Sequence, residues 1–485
     1  MSKNYNENLH MPLVEAVLQY KNDNVYPLHT PGHKGGRGME PSLKKLLGES
    51  VNVDVSLMSE LDDIHEPESY IKEAQDLAAQ TYKSDACFWA VNGTSQAIHA
   101  MLMIACNPGD KVLVPRNAHR SVAGGLILGG LKAVYIEPEY DENFGILTQV
   151  TPETIEQALD KDSEIKAVLI TSPNYYGIAA DVEKIADICH ARNKVLLVDE
   201  AHGPHLGFSK MLPSSAMECG ADACAQSTHK IVGAMTQCSM LQIKKDRLDI
   251  ERAQDVMSVL TTTSPNYLLM MSLDAARAQL QAHGQEMIEH AVSAANELRD
   301  MLKDFVGIQV LGSEDVPNFT LDRTKITVHV SPWGYTGIEV GDALREAGVA
   351  VELVDPENVL LLISYADDNA DFRAAKARIK AVFECLEQYK QPAKEKLIIG
   401  KHMLTQSSVL LRDVFYGSKE KIAFAEAVGR VCAEQISFYP PGIPVVLPGE
   451  IITEEIVSYC QKMKSLGLPV SGPADSSLET IRVVK

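Results

Sequence analysis

The chain has 485 residues, 45% of them hydrophobic, which is enough to bury large cores and points to two or three domains rather than one. Its 45 Lys and Arg stand against 65 Asp and Glu, a formal balance of −20 that disfavours nucleic acid and anionic membrane as partners while tolerating a cationic small substrate. The 9 cysteines are scattered through apolar segments without the short paired spacing of zinc or redox sites, so they are expected as reduced core thiols.

The first 20 residues lack the basic front and long apolar run of a secretory signal, and no stretch approaches membrane-spanning length, so a cytoplasmic location is expected. Residues 11–20 pattern as a short amphipathic helix and 27–36 as a loop rich in Pro, Gly and His. From about Tyr70, apolar segments of strand length at 86–91, 111–114, 133–136, 167–170 and 195–198 alternate with helical ones. That alternation predicts an α/β fold of parallel βαβ units, with the polar motifs at strand ends, where open sheets bind ligands. Helical sequence returns over 266–305, followed by strands at 325–330, 349–353 and 359–363, a helix at 371–389 and a charged stretch at 390–396. The expected division is an arm at 1–45, a large domain at 46–305, a smaller α/β domain at 306–395 and a C-terminal segment at 396–485 packed with the small domain.

Gly93, Thr94 and Ser95 follow the first of these strands and precede the helical run 97–105. Read alone, a hydroxyl there either caps the helix or joins its backbone N–H groups in cradling an anion. Asp199 closes an all-apolar strand, so its carboxylate either caps the next turn or stands desolvated and in need of a cation. Lys230 ends the run Ser227, Thr228, His229 and is followed by apolar residues, a setting that depresses an ammonium's pKa. An amine and a carboxylate so placed suggest pyridoxal 5′-phosphate, whose aldehyde forms an imine with a lysine and whose ring nitrogen must be held protonated to accept electrons. His119, after the strand 111–114, is either a cap or a flat ring laid on the cofactor's face. His202 and His205 have a spacing compatible with a metal, but no Cys or carboxylate cluster completes a site and no metal is expected.

The motifs PLHTPGHKGG, VNGTSQA, PRNAHRS, TSPNYYG, VDEAHG, QSTHK and YPPGIPVVLPGE, in this order over 27–451, resemble the Orn/Lys/Arg decarboxylase family in its shorter bacterial form. The resemblance implies an aspartate-aminotransferase-like fold with a mostly parallel sheet in its large domain, and a pyridoxal-phosphate enzyme that decarboxylates a basic amino acid. Arginine to agmatine, a step toward polyamines, comes first, with lysine to cadaverine and ornithine to putrescine as alternatives. Residue by residue it implies Lys230 as the imine lysine, Asp199 as the pyridinium partner and His119 as the stacking ring. It implies Thr94, Ser95, Ser227 and His229 as phosphate contacts and Ala201 beneath the opposite ring face. His202 stands where longer members carry tryptophan, which leaves its role open; it joins Lys230 and His229 as a candidate for returning a proton to the α-carbon. His29, His33, Lys34 and the acidic loop 61–67 resemble segments bordering the family's site, and 261–265 resembles a stretch that reaches a neighbouring subunit, so a homodimer or larger homo-oligomer is expected. A transaminase of the same fold would need a carboxylate-binding arginine, for which Arg412 and Arg430 are available by type, and a non-catalytic scaffold would be expected to have lost one of the chemical residues.

Overall fold

The computed structural model describes residues 9–367, 369–392, 409–438 and 443–485. A seven-stranded sheet is its centre, built from β1 (Ala86–Ala90), β2 (Lys111–Pro115), β3 (Lys132–Ile136), β4 (Ile165–Thr171), β5 (Val195–Asp199), β6 (Ala223–Gln226) and β7 (Ser239–Ile243) in the order β1-β7-β6-β5-β4-β2-β3. Strands β3, β2, β4, β5 and β6 pair in parallel. The apolar runs follow from burial on both faces. Ala167 and Leu169 of β4 pack into one core while Val168 and Ile170 pack into another, and Leu197 is opposed to Leu196 and Val198 in β5 in the same way.

Strand β7 departs from the parallel expectation, pairing antiparallel with both β6 and β1. Only the short helix α1 (Thr228–Ile231) and a turn separate it from β6, too little chain for a parallel crossover. The predicted helix at 97–105 begins earlier, as Thr94–Ala105 (the 94–105 helix), because its polar first turn is helical too. A second helix, Arg120–Gly129 (the 120–129 helix), follows β2. The amphipathic helix near the N-terminus, Pro12–Asn22, buries Leu13 and Val17 against Tyr70–Thr81 and the start of the long helix Tyr267–Lys303.

Beyond the long helix lies a second, antiparallel sheet, in which Lys325–His329 pairs with Asn358–Leu362 and the latter with Leu353–Val354. The strand predicted at 349–353 is thus short. Val349 instead closes the preceding helix, Gly337–Glu346, by donating its N–H to the Leu344 carbonyl at 2.8 Å. Residues beyond 409 form a further core around Phe424, Ile436, Ile456 and Ile481, against which Ile338 packs. Leu411 and Leu447 join the core of the large sheet, and Arg116 and Glu450 form a buried ion pair at 2.7 Å. The motif residues Tyr439, Pro440, Pro441 and Gly442 lie outside the described residues, as does most of the charged stretch expected at 390–396. Most cysteines are buried as expected, but Cys385 is exposed, since it falls on the outer face of the helix Ala370–Gln388.

One short pairing fixes the two sheets against each other. Ile178–Ala179, in the connection after β4, pairs antiparallel with Thr320–Leu321, and the Asp322 N–H donates to the Gly177 carbonyl at 2.8 Å. This pairing carries Lys325 to the edge of the large sheet.

Candidate active site

The C-terminal ends of β1, β2, β4, β5 and β6 meet around a cavity of about 290 Å³. Thr94, Ser95, His119, Asp199, Ala201, His202, Ser227, His229 and Lys230 all line it, together with Ser121, Asn174, Tyr175 and others. Gly93 stands just outside the lining as the residue before the 94–105 helix, with a φ of 85° that turns the strand into the helix and that glycine adopts without strain.

At one end of the cavity the Thr94 and Ser227 hydroxyls hydrogen-bond each other. No side chain caps the 94–105 helix or α1, so the hydroxyls do not take the capping role that the sequence left open. They stand instead beside a helix N-terminus whose N–H groups favour an anion. His229 donates Nδ1–H to the Cys238 carbonyl at 2.9 Å.

Asp199 is 2% exposed and accepts from the Ala201 N–H at 3.2 Å. Burial raises its pKa and the charge of Lys230 opposes the rise. Lys230 mirrors it, pushed down by burial and held up by Asp199 and Glu352. His119 takes the capping role and keeps its place at the cavity wall. Its Nδ1 accepts from the Ser121 N–H at 3.2 Å, capping the 120–129 helix, while the ring still faces the cavity. Burial, with Lys230 and Arg120 nearby, pushes its pKa down to about 4, so the ring is neutral.

His202 lies between two amines. Its Nε2 is 2.9 Å from Lys230 Nζ and its Nδ1 is 2.8 Å from Lys325 Nζ. Tyr175 covers the ring at 4.7 Å between centroids and accepts from Lys325 Nζ through its carbonyl at 3.0 Å. Lys325 is buried, and burial is the main cause that brings its pKa down to about 7. Sequence reasoning passed over it as the first residue of an ordinary strand. A single lysine heading the run Ile326, Thr327, Val328 was the available signal.

Other expectations fall away from the cavity. His29 contacts the Tyr20 hydroxyl at 3.1 Å and His33 the Asp54 carboxylate at 3.1 Å. The Asp62 carboxylate is taken up by backbone N–H groups of residues 63–72 and has no lone pair left for a substrate cation. His205 contacts Asp322 at 3.2 Å, and no group of three or more His, Cys, Asp or Glu among the described residues could hold a metal. Arg430 pairs with Glu420 at 2.5 Å, and Arg412 lies near Gly130. Neither lines the cavity.

The profile of the Orn/Lys/Arg decarboxylase major domain matches residues 11–321, and that of the family's C-terminal domain matches 400–472. The chain belongs to the Orn/Lys/Arg decarboxylase family. An arginine decarboxylase of Halalkalibacterium halodurans is 39% identical over 481 residues, covering 98% of this chain and 97% of the relative. The inducible lysine decarboxylase of Escherichia coli is 25% identical, covering 95% of this chain and 78% of its own length. Among solved structures, a Francisella novicida lysine decarboxylase superposes with a TM-score of 0.84 at 23% identity, over 99% of this chain and 82% of that one. An aspartate aminotransferase of Thermus thermophilus shares the fold at a TM-score of 0.53 and 12% identity, over 78% of this chain and 97% of that one. No helix among the described residues is long and apolar enough to cross a membrane.

Proposed function

We propose that this protein removes the α-carboxylate of L-arginine, giving agmatine and carbon dioxide, with pyridoxal 5′-phosphate as its cofactor. The observation that carries the reading is Lys230 and Asp199 in one cavity: an amine of depressed pKa and a buried carboxylate that lacks a full set of partners. The rest of the wall fits the same group. Thr94, Ser95, Ser227 and the first turn of the 94–105 helix would hold the phosphate, His119 and Ala201 would flank the ring, and Asp199 would face the ring nitrogen. When bound, the cofactor supplies an electron sink for the pair left behind by the departing carboxylate.

The chain's own residues do the remainder. Burial lowers the pKa of Lys230 and so favours the free amine that can join an aldehyde. A cation against Asp199 reverses the effect of burial and keeps the carboxylate ionised, a charge-assisted bond contributing roughly 1.5–3 kcal/mol. The neutral His119 ring fixes the plane without adding charge. Return of a proton to the α-carbon needs an acid on the Lys230 side of the cavity, where Lys230 and His202 stand 2.9 Å apart. His229 is tied to the Cys238 carbonyl and serves the phosphate end. Glu352, exposed on the small-sheet side, is the carboxylate whose field reaches both Lys230 and Lys325, and it would receive the substrate's distal cation.

The arginine preference is supported by the 39% identical relative that bears that name; lysine and then ornithine follow. Among the described residues lining the cavity there is no arginine, which disfavours transamination. The proposal includes a cytoplasmic homodimer or larger homo-oligomer and the four-part division of the chain at 45, 305 and 395. Thr263 and Ser264, exposed beyond the 250–260 helix, belong to the stretch that would meet the second copy.

The test is carbon dioxide release from arginine, lysine and ornithine by the purified protein. Arginine is expected to turn over fastest and to yield agmatine; no release from any of the three would end the reading. Lys230→Ala is expected to abolish both turnover and the visible absorbance of lysine-bound cofactor.

A further inference from the structure

We propose that Lys325 is a positioning residue, the far end of a proton path Lys230–His202–Lys325 that decides whether Lys230 carries a proton. The proposal rests on Lys230 being the lysine that holds the cofactor, and its geometry does not depend on which amino acid is consumed. The two nitrogens of His202 lie 2.9 Å from Lys230 Nζ and 2.8 Å from Lys325 Nζ. A neutral imidazole has one N–H and one lone pair. The N–H needs an acceptor, and only an unprotonated amine is one, because an ammonium has donors alone. Two protonated lysines therefore cannot both bond this ring.

The pair shares one proton in either of two arrangements. In the first, the Lys230 ammonium donates to Nε2 while Nδ1–H donates to the Lys325 amine. In the second, Nε2–H donates to the Lys230 amine while the Lys325 ammonium donates to Nδ1. Passage from first to second moves one proton from Lys230 Nζ to Nε2 and one from Nδ1 to Lys325 Nζ, so protons and charge balance.

The surroundings suit that exchange. Burial, then the two lysines, hold His202 well below the ordinary histidine range, so the ring stays neutral. Burial and the Lys230 charge push Lys325 down to about 7 while Asp322 and Glu352 pull it up, so it can take or release a proton near neutrality. Among the described residues, the other charged or titratable groups facing the path are Asp199 and the Tyr175 ring beside Lys230, and His119 and His205 beside His202, with His205 also in contact with Asp322 at 3.2 Å. The approach is built into the backbone. A Cβ on Gly177, whose φ is +87°, would lie 3.2 Å from both Cβ and Cδ of Lys325. The benefit is chemical: Lys230 must be an amine to join the cofactor and an ammonium to give up a proton, and the path changes one into the other without solvent.

The test is the pH dependence of Lys230 methylation by formaldehyde and cyanoborohydride in the full-length, cofactor-free protein, followed on the Lys230 peptide by mass spectrometry. Lys325→Met removes the acceptor and the second cation, and is expected to raise the midpoint by about one pH unit, a tenfold loss of reactive amine at fixed pH below it. Lys325→Arg cannot accept from Nδ1–H, so it forces Nε2–H toward Lys230 and is expected to lower the midpoint. Should Lys325→Met fail to fold, Lys325→Gln keeps a donor for the Tyr175 carbonyl and is expected to shift upward likewise. Opposite shifts for the neutral and the arginine variants support the path. Shifts in one direction, or none, in folded variants overturn it. With no substrate or cofactor present, failure here leaves the arginine assignment untouched, and inactivity toward arginine leaves this result standing.

Discussion

Asp62, in the acidic loop, and Asp199, at the edge of the large sheet, are both buried carboxylates, at 7% and 2% exposure. Asp62 accepts from five backbone N–H groups at 2.9–3.4 Å, and although burial works against ionisation these bonds hold its pKa below the ordinary range. Asp199 accepts from one, that of Ala201, and burial holds its pKa above that range. The first carboxylate is spent on its own chain, tying the loop to the helix Tyr70–Thr81. The second is kept short of partners, and a ligand's cation is what completes it.

Substituting each acid by asparagine is the direct way to break the contrast. Asp199→Asn is expected to lower kcat by on the order of 10³-fold, since the neutral amide cannot hold a ring cation, while the melting temperature of the cofactor-free protein stays level or rises. Loss of stability without loss of turnover would reverse the roles. Asp62→Asn keeps the residue's left-handed φ of 75°, which asparagine tolerates, yet gives up half the acceptor set. It is expected to cost about 3 kcal/mol in denaturant unfolding, with kcat retained.

Glu200 extends the contrast to pH. Burial is the main cause that raises its carboxyl from the ordinary 4.5 to about 7, against the N–H of Ala216 and the amide of Gln226. The folded chain therefore keeps a proton that the unfolded chain has released between those two values, so stability falls as pH rises across that window, by about 3 kcal/mol in all. Unfolding by denaturant at intervals from pH 4 to 8 measures the slope, and Glu200→Gln is expected to flatten it. The smallest effect is expected at Gly177→Ala, which costs about 1–2 kcal/mol in backbone strain and pushes Lys325 away from His202. A thermal melt reads the first, and an upward shift of the Lys230 methylation midpoint reads the second.

The large sheet was legible because strands buried on two faces are apolar throughout, so each of the five predicted segments overlaps an observed strand. Strands β6 and β7 were not among them, and the antiparallel direction of β7 depends on the length of the connection rather than on any residue in it. The cavity residues were legible where they end a strand, as Asp199 does, or come four residues after one, as Thr94, His119 and Lys230 do. Lys325 was not, because it reaches His202 only through the pairing of Ile178–Ala179 with Thr320–Leu321, a contact between segments far apart in the chain. The capping and stacking readings of His119 were treated as rivals, yet one nitrogen serves the helix while the ring plane remains free.

That two-residue pairing has a further consequence in how the chain tolerates length change. Asp322 to Lys325 form a tight turn that the Lys325 N–H closes on the Asp322 carbonyl at 3.3 Å, so a single amino acid inserted between Leu321 and Lys325 would open that turn and displace the amine from His202. Natural insertions and deletions should therefore be absent from this short stretch even where the neighbouring surface loops vary freely.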